Sequence, residues 1–113
     1  MVQENFSQKK CKPCEGGTKP MDKAQIDTAL QQVPGWAYES GALVKSFTFK
    51  NYYETMSFVN AVAWIANRED HHPDIEFGYK NCRVRYSTHA IKGISENDFI
   101  CAAKINGLLE RGE

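Results

Sequence analysis

HHPDIEFGYKNCRVRYSTHAIKGISEND, residues 71–98, holds all three histidines of the chain. Its local pattern changes several times. Pro73 pushes His72 out of the helical region, so His71-His72 stands in extended chain. Ile75, Phe77 and Tyr79 then share one face of a strand. Lys80-Asn81 reads as a two-residue turn, because asparagine tolerates positive φ. On the return strand, Cys82 to His89, Cys82, Val84, Tyr86 and Thr88 alternate with Arg83, Arg85, Ser87 and His89. One face is mostly apolar and the other entirely polar. Ser95-Glu96-Asn97-Asp98 is a capping box with Asp in place of Glu, so a helix starts at Ser95.

The same punctuation continues outward. Asn51 caps a helix reaching about Arg68, with Glu54 at the capping-box position. Its apolar stripe (Met56, Phe58, Val59, Val62, Ala63, Ile65, Ala66) is broad enough for a helix lying flat on a sheet. Ahead of it, Trp36–Glu39 and Ala42–Lys50 flank a Ser-Gly turn and form a hairpin. Lys45 breaks the alternation and marks an edge or an open end. Asp22 and Gln25 open the first helix, which carries Ile26, Ala29, Leu30 and Val33 on one stripe and stops at Pro34-Gly35. The order is α-β-β-α-β-β-α. The fold class is α+β: a four-stranded antiparallel sheet with three helices on one face. The uncovered face would present Arg83, Arg85, Ser87 and His89.

Residues 1–20 read as a flexible polar leader, and 21–113 as a single domain. In the leader only Val2 and Phe6 could pack. Cys11-Lys12-Pro13-Cys14 has the spacing of half a zinc knuckle or of a redox pair. A knuckle needs a second Cys or His pair, and Cys82 and Cys101 are far apart in sequence. A thioredoxin-like motif needs a strand before it and a helix at it. The leader therefore reads as an extension with no bound ion.

Fourteen basic and fourteen acidic side chains give zero formal net charge. A general nucleic-acid binder would need basic excess to release phosphate counterions. No apolar run approaches the roughly 20 residues of a membrane span. The first residues hold no apolar signal segment, so the expected location is cytoplasmic, with reduced cysteines.

Adjacent residues in extended chain point in opposite directions, so one of His71 and His72 can reach a site while the other packs. The same geometry makes it hard for both to hold one metal, and no metal is expected. His89 ends a strand, where scaffolds commonly hold reactive groups. Imidazole suits proton transfer near neutral pH. Asp98 stands where a carboxylate caps a helix, a role worth about 0.5–2 kcal/mol.

His71-His72-Pro73, Tyr79, Ser87-Thr88-His89 and Gly93-Ile94-Ser95-Glu96-Asn97-Asp98 together resemble the pterin-4a-carbinolamine dehydratase family. Trp36 after Pro34-Gly35 matches the family's tryptophan behind the first helix. The resemblance covers about residues 22–110. Some members carry an acid four residues before the first histidine, where this chain has Asn67. The resemblance implies a cytoplasmic enzyme that removes water from a 4a-hydroxytetrahydropterin, giving quinonoid dihydropterin in tetrahydrobiopterin recycling. It implies His71, His72 and His89 as catalytic residues, with His71 and His89 as the acid–base pair. Pro73, Ser87, Thr88, Asp98 and Trp36 would bind substrate or support the site. No cofactor is implied. Expected partners are the pterin, a second or further copies in a homodimer or homotetramer, and a functional link to an aromatic amino-acid hydroxylase. Two other readings stay open: a non-catalytic partner-binding module using the open sheet face, and a metal-dependent hydrolase.

Overall fold

The computed structural model describes residues 5–13 and 19–110. The first helix, α1 (Lys23–Leu30), opens as the capping box requires. Asp22 accepts from the Gln25 amide at 2.8 Å, and the Gln25 side chain accepts from the Asp22 amide at 2.9 Å. It ends at Leu30, and a turn carries fully buried Val33 to the core ahead of Pro34. Strands β1 (Ala37–Glu39) and β2 (Ala42–Thr48) are joined by Ser40 and Gly41, with φ of 48° and 81°. Two positive φ values give the tight turn whose twist matches a hairpin.

Helix α2 (Tyr52–Glu69) is capped by Asn51, which accepts from the Glu54 amide, and stops at Asp70 in the left-handed region. Strands β3 (Asp74–Phe77) and β4 (Asn81–Tyr86) follow, then α3 (Glu96–Glu110). The sheet order is β1-β2-β4-β3, with every pair antiparallel. This is the expected α-β-β-α-β-β-α layer. The register sets Leu43 against Tyr86, Lys45 against Val84 and Phe47 against Cys82, all on the side covered by α2 and α3. There they meet Phe58, Val62, Phe99 and Ile105 in one core.

The second hairpin corrects the expected turn. Gly78 donates to the Asn81 carbonyl at 2.9 Å, so the turn is Gly78–Lys80 and Asn81 already pairs with Thr48. Strand β4 ends at Tyr86, short of the expected His89. His89–Ile91 instead forms a 3-10 turn, closed by a bridge between Thr88 and Gly93.

Lys45 also departs from expectation. It lies on an inner strand, not at an edge. Its ammonium reaches the Pro34 carbonyl at 3.1 Å and Asn106 Oδ1 at 2.9 Å. Its stem fills the space beside Gly35 (φ 89°), where a Cβ would come within 2.7 Å of Lys45 Cε. The same Asn106 oxygen accepts from the Trp36 indole at 2.9 Å, and its amide donates to Pro34. Asn106→Ala leaves the buried indole N–H without this acceptor, so an expected loss of about 2 kcal/mol follows. Urea denaturation checks it; an unchanged midpoint would remove stability from this network's role.

The open sheet face is satisfied by its own charges. Arg83 pairs with Glu39 (3.3 Å) and Glu76 (3.9 Å), and Arg85 with Asp74 (3.7 Å). Exposed pairs of this kind contribute about 0–1 kcal/mol each.

Residues 5–13 correct the expectation of a loose leader for that part of it. Phe6 is buried, its ring stacked on Phe99 with centroids 5.7 Å apart. Residues 10–13 run on as a strap over the start of α3, where Asn97 holds Lys12. Cys14, and with it the full Cys11–Cys14 motif, lies outside the described residues.

Candidate active site

The end of α2, the end of β4 and the start of α3 meet at one cleft of about 420 Å³, inside the ~300–1,000 Å³ range of small-molecule sites. His71, His72, Ser87, Thr88 and His89 line it, and Lys10, Cys11 and Lys12 of the strap form another part of its wall. The left-handed Asp70 ends α2 sharply, and the His71 amide donates back to the Ala66 carbonyl at 3.1 Å. This turns His71 inward, while His72 stays exposed at the same cleft. Pro73 then starts the extended run into β3.

His71 is the best-held of the three rings. Its Nε2 lies 2.5 Å from Asp98 Oδ1, and the ring stacks on Tyr86 at 5.3 Å. The Tyr86 hydroxyl donates to the His71 carbonyl at 3.2 Å. Asp98 is fully buried, and its second oxygen accepts from Thr88 Oγ1 at 2.8 Å and the Ser95 amide at 2.9 Å. One carboxylate thus caps α3 and grips His71. Thr88 and Ser95 share a further hydroxyl contact at 2.8 Å.

Burial alone would pull the His71 imidazole down, but the hydrogen bond and charge of Asp98 outweigh it and raise its pKa above the ordinary 6.5. The folded state therefore binds this proton more tightly than the unfolded state. The resulting stabilisation is fully present below about pH 6.5 and fades as pH rises through the folded value. Melting temperatures of the parent and of His71→Gln between about pH 5.5 and 9 check this. The parent's advantage should shrink as pH rises; parallel curves would contradict it.

His89 stands exposed on its 3-10 turn, fixed through the backbone. Thr88 N donates to Gly93 O at 2.8 Å, and Gly93 N returns to Thr88 O at 3.4 Å. Ser87 and Thr88 line the cleft with the histidines, and Asp98 lies against His71. Trp36 does neither, which corrects its placement as a supporting residue. It is buried beside Phe47 and bonded to Asn106, eight residues and about 12 Å along α3 from Asp98. Tyr79 is also remote, stacked on Tyr52 at the far end of the hairpin. Sequence reading missed Tyr86 as the stacking partner of His71, although its place on the inward face of the strand was visible. It also missed the strap, whose contacts are non-local.

Among the described residues, no group of three or more His, Cys, Asp or Glu side chains is placed to hold a metal ion. No helix among them is long and apolar enough to cross a membrane.

The family profile for pterin 4 alpha carbinolamine dehydratase matches residues 19–108. A Nitrosospira multiformis protein, provisionally named pterin-4-alpha-carbinolamine dehydratase, is 56% identical over 107 residues, covering 95% of each chain. A Nitrosomonas eutropha protein of the same provisional name is 55% identical, over 93% of this chain and 94% of its own. Among solved structures, the transcriptional coactivator/pterin dehydratase of Brucella melitensis superposes with a TM-score of 0.76. It is 28% identical and covers 80% of this chain and 98% of its own. Matched along most of its length by the profile and by these relatives, the chain belongs to the pterin 4 alpha carbinolamine dehydratase family.

Proposed function

We propose that the protein dehydrates a 4a-hydroxytetrahydropterin, with His71 and His89 as acid and base. Family membership supports the substrate and the reaction class. The observation that carries the mechanism is the gathering of all three histidines at one cleft, with His71 tied to buried Asp98. Loss of water requires a proton to leave N5 and another to reach the departing 4a-hydroxyl. His71, kept protonated by Asp98, gives its proton to the hydroxyl, which leaves as water. Neutral His89 takes the N5 proton, and the N5=C4a bond forms. Proton exchange through solvent resets both rings. His72, Ser87 and Thr88 position the pterin, and no cofactor enters.

On this reading the protein acts in tetrahydrobiopterin recycling, with a functional link to a hydroxylase that releases the carbinolamine. A cytoplasmic homo-oligomer fits that reading. Exposed Tyr53, Trp64 and Leu109 on the helical side give further copies an apolar surface to cover. The test is the rate of carbinolamine loss, followed spectrophotometrically against its spontaneous dehydration. No acceleration by purified protein would overturn the proposal. One observation favours a second reading: the Brucella melitensis relative is also named a transcriptional coactivator. A binding role for the open sheet face would then survive in a dehydration-inactive protein.

A further inference from the structure

Cys11 and Cys101 take no part in the dehydration chemistry, yet their Sγ atoms lie 3.7 Å apart across a sequence separation of 90 residues. Cys101 is fully buried, one turn after Asp98 on α3. Cys11 is half-buried on the strap and lines the cleft. A buried cysteine is commonly a small apolar filler. Three contacts to the main chain of the strap argue for more here. The Asn97 side chain accepts from Lys12 N at 3.0 Å and donates to Lys12 O at 2.5 Å. Glu69 Oε1 accepts from Cys11 N at 2.8 Å. The backbone that carries Cys11 is thus fixed beside α3, where its Sγ faces Cys101 and also lies 3.6 Å from the Asn97 carbonyl. Closing 3.7 Å to a bond of about 2.05 Å asks each sulfur to move less than about 1 Å.

We propose that Cys11 and Cys101 are a disulfide-forming pair, an oxidative modification site that fastens the strap to α3 beside the cleft. The oxidant is a low-molecular-weight disulfide. Cys11, the more accessible thiol, loses its proton and attacks one sulfur of that disulfide. The small S–S bond breaks and one small thiolate leaves. Cys101 thiolate then attacks the Cys11 sulfur, forms the Cys11–Cys101 bond and expels the second small thiolate. Two protein thiols are oxidised, one small disulfide is reduced to two thiols, and the two protons pass to them. In the reduced pair the hydrogen bond from Cys11 pulls the Cys101 thiol down against burial, and the same contact pushes the Cys11 thiol up, so it is exposure at the cleft that makes Cys11 the first to meet the oxidant. Cys82 is different: burial alone pushes its thiol up.

The full chain is equilibrated in glutathione redox buffers and mapped by mass spectrometry without reduction. The expected product is a Cys11–Cys101 peptide pair lacking two hydrogens, reversed by dithiothreitol. Because the bond closes so long a loop, the melting temperature should rise by about 5 °C or more. Cys14→Ser should still form the link, whereas Cys11→Ser and Cys101→Ala should each abolish it. A Cys11–Cys14 link, glutathione stranded on Cys11, or no link in excess oxidised glutathione would overturn the proposal. Any effect on turnover rests on the proposed dehydration. Absence of activity in both redox states, with the link mapped, would count against that function and leave the disulfide standing.

Discussion

Alanine at His71 or at His89 is expected to lower carbinolamine turnover by about 10²–10⁴-fold, the typical worth of a positioned acid or base. Pterin affinity should change much less. The two rings line one cleft but are held by different means. His71 is gripped through its side chain by Asp98 and Tyr86. His89 is placed by the backbone bridge beneath it. Removing either leaves the other in place but without its counterpart in the proton transfer. Groups acting as a unit are not additive, so the double substitution should fall well short of the product of the single losses. His72→Ala, at an exposed position on the rim, should weaken binding more than it slows the chemical step. Initial rates corrected for spontaneous dehydration, with affinities by calorimetry, give these numbers. Near-parent turnover in either single variant would sink the assignment, and a loss reversed by added zinc would favour metal chemistry.

Asp98→Ala is expected to cost about 3–5 kcal/mol of stability, well beyond the cap alone. The carboxylate is fully buried and answers His71, Thr88 and the Ser95 amide together. Its removal strands a part-buried imidazolium and two donors at once. Asp98→Asn separates the roles. The amide oxygen can still accept from Ser95, so much of the cap survives, but the negative charge that holds the His71 proton is gone. Urea denaturation near pH 6 should rank parent, Asn and Ala in falling order. Turnover per folded molecule should drop in both variants. Parent-level turnover in Asp98→Asn would confine the residue to capping.

The layer was legible because its boundaries are set locally. Asp22 with Gln25, Asn51 with Glu54, and Ser95 with Asp98 cap the three helices through bonds to residues three positions away. The alternation Cys82, Val84, Tyr86, Thr88 also named the buried side of β4 correctly. Gathering the histidines at one cleft followed from the same elements. What escaped was tertiary. Lys45 looked like an interruption because its acceptors, Pro34 and Asn106, lie 11 and 61 residues away. Trp36 matched a family position, but nothing in one dimension says which end of α3 it meets. The strap was read by composition as polar and loose. Its anchors, Glu69 and Asn97, are 58 and 85 residues from the positions they hold.

Asn97 holds the strap by the amide and carbonyl of Lys12, which every residue but proline possesses. Side-chain identity at that position is therefore uncoupled from docking. Drift in the genetic sequence can exchange charge, length or shape at Lys12, which borders the cleft, while the chain keeps its path. The fold thus separates a heritable scaffold from an adjustable border.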